Sequence, residues 1–451
     1  MKHFTLRQFA GACHAQYFGP EETLAQEIRG VVQDNRRIEP GFLFVAIRGE
    51  HVDGHRFIPD AYEKGAICAL SQQKLDHATG PYLLVEDTLQ ALKDAAEAYR
   101  QTLDIPIIGV TGSVGKTSTK EMIASILGQK YRVLKTPGNL NNEIGLPLTI
   151  FQIDECHEAA VLEMGMNHFG EMHRLSKIAR PTCCVLTNIG TAHLEFLGSR
   201  DGIFQAKCEI FDYAAPDASV FVNGDDDKLI ALADRATTFG LNEGNRVRAD
   251  QIEKLGPGGV RCRIFTDECS FTVAIPLPGI HMVYNALAGT CVGLSLGLDT
   301  DEIRAGIEAL RPLPGRSNIL HTSHYTLLDD CYNANPASMT EALNILEDTK
   351  SRRVAILGDM GELGPQSPEL HASVGRHLGA LHIDLLITIG EKSENIHGAA
   401  VKAAPQTVCI HFPDQESFLK KKDVLLKDGD AVLIKASRAM GFEKIVEALR
   451  A

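Results

Sequence analysis

The chain has 451 residues, and at about 150 residues per domain that length predicts three domains rather than one core. Hydrophobic residues make up 44% and charged residues 23%, a soluble globular mix that excludes disorder, collagen and coiled coil. With 45 Lys+Arg against 58 Asp+Glu the formal net charge is −13, and no basic block offsets it, which argues against nucleic acid or an anionic membrane surface as a partner. The first residues, MKHFTLRQFAGACHAQ, lack the apolar core of a signal peptide, and no run approaches the roughly 18 apolar residues of a membrane span, so a cytoplasmic location is expected. Eleven scattered cysteines without a C-x-x-C pair predict neither a disulfide framework nor a zinc site. No internal repeat or low-complexity tract is present.

In chain order, the first break is QTLDIP (101–106), before the apolar run IPIIGV (105–110). A helix follows over 116–128, with Met122, Ile123, Ile126 and Leu127 on one face and Gly128 placed as a C′ glycine. Strands are predicted at AAVLEMG (159–165), CCVLTNIG (183–190) and VFVNGD (220–225), and period-two alternation on either side of a polar turn predicts a hairpin over 258–276. Helices follow at GIHMVYNALA (279–288) and DEIRAGIEAL (301–310), then the Pro/Gly break RPLPGRSN (311–318). Beyond it come strands TLLDD (326–330), VAILGD (354–359), LLITIG (385–390) and AVLIKAS (431–437). Runs apolar on both faces and separated by helices imply α/β architecture with parallel sheets, in domains at 1–103, 104–313 and 314–451.

The strongest chemical signal is GVTGSVGKTS (109–118), a phosphate loop after a strand and before a helix. Thr111, Gly112, Ser113, Val114, Gly115, Lys116, Thr117 and Ser118 are the nucleotide-binding candidates. Backbone N–H groups and the helix N-terminus suit phosphate oxygens, Lys116 suits the outer phosphates, and the Thr117 hydroxyl suits Mg2+. The general G-x-x-x-x-G-K-[ST] pattern wants Gly where Val110 stands. The sequence has no Asn-Lys pair for guanine recognition, so ATP is favoured over GTP. Polar residues past the carboxyl ends of strands are ligand candidates: Glu163, then His193 and Glu195, as magnesium neighbours. Lys207, in FQAKCEIF, reads as a solvated helix face by its pattern alone. His281 and Asn285 share a helical face, and the Asn285 amide suits an adenine edge or a plain helix surface. Arg316 and Asp330, close to the linker, suit either a third-domain contact to ATP or an interdomain ion pair.

With these residues in order, the sequence resembles the Mur ligases, the ATP-dependent amino-acid ligases of peptidoglycan precursor synthesis, over nearly its whole length. T-G-x-x-G-K-T at 111–117 is that family's variant of the phosphate loop, and NLNNEIGLP (139–147), LEMGMNHFGEM (162–172), DDCYNANPASM (329–339) and ILGDMGELG (356–364) resemble its branch that adds D-alanyl-D-alanine to UDP-N-acetylmuramoyl-tripeptide. The resemblance implies a central parallel-sheet P-loop ATPase domain, a Rossmann-like C-terminal domain, and an N-terminal uridine-nucleotide domain marked by residues 34–57. It implies a phosphate role for Lys116, magnesium at Thr117 and Glu163, a second metal near His193, carbamylation of Lys207, an adenine-side Asn285, and Arg316 and Asp330 closing on ATP. Implied substrate contacts are Asn35 and Arg36, where Asn35 replaces the usual serine of D-S-R, together with Asn139, Asn141, Asn142 and Asn333. Lys435, Ser437 and Arg438 follow for the dipeptide, where Ala436 replaces the usual glycine of K-G-S-R. The implied reaction passes through an acyl phosphate, with ATP and Mg2+, in a monomer. The alternatives are a sister or folylpolyglutamate-type ligase, which the YNANP run and the N-terminal domain oppose, and a non-ligating ATP-binding switch, which has no need of Glu163, His193, Lys207 and Arg316 together.

Overall fold

The structure is a computed structural model that describes every residue except Lys2, Glu50, His51 and Ala451, so two positions of the 34–57 run lie outside the described residues. Strands β1 (Gln16–Phe18), β2 (Gly30–Val32), β3 (Phe42–Val45), β4 (Cys68–Ser71) and β5 (Tyr82–Leu84) form a sheet in the order β1-β5-β4-β3-β2, antiparallel only at β1. The central sheet contains β6 (Ile107–Thr111), β7 (Val133–Lys135), β8 (Ala159–Glu163), β9 (Cys183–Leu186), β10 (Ser219–Asn223), β11 (Thr237–Gly240), β12 (Val247–Lys254), β13 (Val260–Phe265) and β14 (Ser270–Ile275). Its order is β14-β13-β12-β11-β10-β9-β6-β8-β7. The third sheet, in the order β15-β16-β20-β17-β18-β19, is built from β15 (Asn318–His321), β16 (Thr326–Asp329), β17 (Arg353–Gly358), β18 (Leu385–Ile389), β19 (Val408–Phe412) and β20 (Ala431–Lys435).

The strands expected as apolar runs are buried on both faces, as in β6, β8, β9, β18 and β20, because helices cover both sides of a parallel sheet. Val110 is one of these core residues, fully buried between Glu163 on β8 and Val185 on β9, which is why an apolar side chain stands where the general loop pattern has glycine. The central sheet is not parallel throughout: the expected hairpin β13–β14 is there, and β12 joins β13 antiparallel as well. Helix Lys116–Leu127 buries Met122, Ile123, Ile126 and Leu127 as its period predicts. Gly128, however, has φ −63° and closes the helix in right-handed geometry rather than as a left-handed C′ residue.

Two differently built junctions hold the three parts together. One continuous apolar cluster runs from Leu6, Phe9 and Leu70 through Leu92 and Tyr99 of helix Thr88–Gln101 to Leu146, Met172 and Leu186 under the central sheet. On that helix the buried Arg100 guanidinium donates to the carbonyls of Ala179, Leu103 and Arg180, so its charge is met by backbone dipoles. The third sheet has its own two apolar layers. It meets the central part through side-chain pairs such as Lys254 with Asp348 at 2.9 Å and His193 with Glu362 at 2.6 Å. No helix among the described residues is long and apolar enough to cross a membrane.

Candidate active site

Sheet order builds the site. Strand β6 lies between β8 and β9, with Val110 in register with Glu163 and Thr111 with Leu186, so the carboxyl ends of three strands place the phosphate loop, Glu163 and residues 187–193 side by side. Gly112 has φ +152°, and a Cβ there would stand 1.9 Å from Thr187 Oγ1, so only glycine fits. Gly115, φ +84°, takes the left-handed turn that starts helix Lys116–Leu127 and aims its first N–H groups at the loop. The loop is clamped from the β9 side. Thr187 Oγ1 donates to Val114 O at 2.6 Å, Asn188 Nδ2 donates to the same carbonyl, Val114 N–H donates to Asn188 Oδ1 at 2.9 Å, and Gly190 N–H donates to Ser113 Oγ at 2.8 Å.

The Lys116 ammonium donates to Gly112 O at 2.8 Å, folded back on its own loop. Desolvation pushes it below the usual lysine range, with Glu163 opposing that shift and Arg316 adding to it. Thr117 is buried beside it and Ser118 is partly exposed. Glu163 is 2% exposed; its Oε1 accepts from Asn141 Nδ2 at 2.8 Å, while its Oε2 has no hydrogen-bond partner. A buried carboxylate oxygen without a hydrogen-bond donor is an oxygen ligand that suits Mg2+, as is the hydroxyl of the loop's Thr117.

Lys207 corrects its helix-pattern reading. The residue is 1% exposed, because helix Arg200–Cys208 turns that face inward with Ile203 and Ala206. Burial, then the charge of Lys116, drives its ammonium well below the usual range, and no ion pair or side-chain hydrogen bond reaches it among the described residues. His193, left-handed at φ +62°, heads the short helix Leu194–Leu197, and its Nδ1 lies 2.6 Å from Glu362 Oε2. The contact is an ion pair only when the imidazole is protonated and otherwise a close polar contact of the ring with the carboxylate. Burial lowers the His193 pKa against the pull of Glu362, and Lys116 and Lys207 lower it further. The pairing in turn holds the Glu362 carboxyl below its ordinary range, with Lys116 contributing. Glu195, expected beside His193, is exposed and packs near Gly364.

Asn285 is buried beneath the loop, its Oδ1 accepting from Thr119 Oγ1 at 2.8 Å and its Nδ2 facing Met282 Sδ, so half its amide is committed to the phosphate-loop helix. His281, one turn earlier, is 4.0 Å from Glu341 of the third part. Arg316 sits at the tight Leu313–Arg316 bridge with its guanidinium 4.1 Å from the Tyr332 ring centre, and Arg438 approaches the same ring at 5.2 Å.

Other expected contacts are engaged inside the protein. Asp330 accepts from Lys435 Nζ at 2.5 Å and from Ser317 N–H at 2.9 Å. Lys435, expected at the dipeptide, is 2% exposed and spends its donors on Asp330 Oδ2, Asp330 O and Asn333 O, so in this structure it buttresses Asp330. Asn333 is exposed, with its Oδ1 accepting from Ala334 N–H and Arg438 N–H. Asn142 Oδ1 accepts from the Ile144 and Gly145 N–H groups just ahead of helix Gly145–Ile150, and Asn139 is exposed. Ser437 is buried, its N–H donating to Asp359 O. Asn35 and Arg36 stand on the first sheet's side, Asn35 donating to Asp60 Oδ2 at 2.6 Å and Arg36 paired with Asp34.

Sequence reasoning passed over four contributors. Lys120, one turn beyond Lys116 and 1% exposed, donates to Thr136 O at 2.7 Å and stands 3.8 Å from Glu163 Oε2. Thr187 and Asn188 clamp the loop, and the polar residues after CCVL were their signal. Glu362 lay inside a quoted run without being singled out.

Residues 27–100 match the "Mur ligase family, catalytic domain", 110–293 the "Mur ligase middle domain" and 315–438 the "Mur ligase, glutamate ligase domain". The chain is 37% identical over 431 residues to the UDP-N-acetylmuramoyl-tripeptide–D-alanyl-D-alanine ligase of Bacillus subtilis, covering 94% of this chain and 93% of that one. A MurF crystal structure from Acinetobacter baumannii superposes with TM-score 0.90 at 33% identity, covering 99% of this chain and 98% of that one. MurF ligase from Thermotoga maritima in complex with ADP does so with TM-score 0.83 at 31% identity, covering 94% and 97%. Conserved domain order, full-length identity and a shared three-sheet fold agree: this chain belongs to the Mur ligase family.

Proposed function

We propose that this protein is the ATP-dependent ligase that joins D-alanyl-D-alanine to UDP-N-acetylmuramoyl-tripeptide, forming ADP and phosphate in peptidoglycan precursor synthesis. What carries the reading is the convergence of Lys116, Glu163, His193 and Lys207 on one phosphate loop, with the charge of Arg316, from beyond the linker, acting on Lys116. The relatives that match this chain end to end bear that activity in their names.

ATP takes the loop, and Lys116 exchanges its bond to Gly112 O for the outer phosphates. The terminal carboxylate of the tripeptide attacks the γ-phosphorus, ADP leaves, and an acyl phosphate forms. The amine of D-alanyl-D-alanine then attacks the acyl carbon, loses its proton and expels phosphate. Lys116 and Arg316 offset the charge that develops. Thr117 and Glu163 would hold one Mg2+, with His193 and a carbamylated Lys207 beside a second; when bound, the ions neutralise phosphate charge and polarise the γ-phosphoryl group. Lys207 is suited to carbamylation because burial lowers its amine's pKa well below the usual lysine range, which favours the neutral form that adds carbon dioxide. We assign residues 1–103 to the uridine nucleotide through Asn35 and Arg36, 104–313 to ATP, and 314–451 to the dipeptide and to closure over ATP. Closure excludes water from the acyl phosphate.

Phosphate release with ATP and Mg2+ tests this, the two co-substrates being added separately and together and the product weighed by mass spectrometry. Turnover only with both is expected. Equal turnover without the nucleotide substrate overturns the reading.

A further inference from the structure

The loop after β17, residues 359–364, brings one carboxylate from the third part of the chain to the phosphate side of the central part. Glu362 Oε2 lies 2.6 Å from His193 Nδ1, and His193 has no other ion-pair partner among the described residues. The contact is built into both backbones. Glu362 has φ +59° and His193 φ +62°, left-handed conformations that non-glycine residues adopt at a cost and that persist only where the surroundings over-determine them. The loop also rests on helix Leu194–Leu197: a Cβ on Gly364 would stand 3.2 Å from Glu195 Cα.

We infer that Glu362 is a positioning residue for ligation: carried onto His193 by the third domain, it fixes the imidazole through Nδ1, leaves Nε2 as the free ring nitrogen, and makes domain closure the event that completes the metal and phosphate pocket. The inference rests on the ligase reading above. Its physical basis is that a histidine serving a metal is oriented by a carboxylate on its other nitrogen. Here the two halves of that pair lie on different domains, so the orientation exists only when they meet.

The test uses the full chain as Glu362→Gln and Glu362→Asp, each alone and combined with His193→Gln. For Glu362→Gln we expect kcat to fall about 10- to 100-fold, with KM for MgATP held within about threefold. Glu362→Asp should recover part of the loss. In the His193→Gln background, Glu362→Gln should add less than about twofold, because the two act as one unit. A Mn2+ titration by electron paramagnetic resonance in the presence of ADP gives a readout independent of turnover, and there Glu362→Gln should weaken the second Mn2+ about tenfold. A Glu362→Gln enzyme with wild-type kcat and wild-type Mn2+ binding, or full additivity with His193→Gln, overturns the assignment. Wild-type protein that fails to ligate, while Glu362→Gln still weakens Mn2+, overturns the ligase reading and leaves only the positioning of His193 by Glu362 standing.

Discussion

A single buried amine shows what the residue scale adds. In FQAKCEIF, Lys207 follows Gln205 and precedes Glu209, so a helix pattern places it in water; the structure places it 1% exposed, near the charge of Lys116. An uncompensated ammonium there is costly, so burial favours the neutral amine, and such an amine near the charge of Lys116 gains from becoming an anion. Replacing Lys207 with Ala should lower kcat by about 10²–10³-fold, the scale of losing one preorganised charged group. Formate or acetate at high concentration should restore part of the rate in a phosphate-release assay. Full activity in the variant would remove the carbamate. Lys120 makes the same point without reactivity: its position on the helix was plain in the sequence, but its approach to Glu163 exists only once β8 lies beside β6.

At the scale of elements, loops matter through what pins them. The 359–364 loop that carries Glu362 is held by His371 of helix Ser367–His377, whose Nε2 accepts from Met360 N–H at 2.9 Å while Nδ1 donates to Ser367 O at 2.7 Å. Burial keeps His371 neutral, its pKa below the usual 6.5. Between that lowered value and 6.5 the unfolded chain binds a proton that the folded chain refuses, so this stabilisation is present above pH 6.5 and lost as pH falls toward the folded pKa. Urea midpoints at pH 7.5 and pH 5 should fall more in wild type than in His371→Gln, whose amide does not titrate. Equal slopes would show that His371 does not contribute. The central strands were legible because a two-sided apolar run between helices has few other uses, whereas the short strands of the first sheet carry no such run. The antiparallel pairing of β12 with β13 was not, since parallel and antiparallel edges carry similar residues.

For the whole molecule, the unequal junctions predict unequal behaviour. The first two parts share one apolar cluster, stapled by Arg100 and by Tyr99 Oη donating to Ile153 O, whereas the third has its own two layers and meets the rest through ion pairs and scattered apolar contacts such as Leu370. Burial on that scale couples unfolding far more strongly than a few pairs and scattered contacts do. Calorimetry of the full chain should therefore resolve two transitions, one for residues 1–313 and one for 314–451; a single cooperative transition would contradict this. The same weak junction is what allows the third part to close on ATP as a body.

The sequence by itself determined the class of fold, the buried strands of the second and third sheets that carry the site, the phosphate loop and the family, because each is written in local pattern: two-sided apolar runs, glycines where a loop must approach phosphate, and motifs contiguous along the chain. Glu163, His193 and Lys116 were legible for the same reason, each lying at the carboxyl end of a recognisable strand or on the loop itself. Tertiary structure alone decided that Lys207 is buried, that Lys435 serves Asp330 and that Asn142 accepts from backbone N–H groups just ahead of a helix. It alone brought Glu362 to His193, 169 residues away in sequence. Burial and charge pairing depend on which elements pack together, and sheet order and domain contact settle that without leaving any mark at the residue concerned.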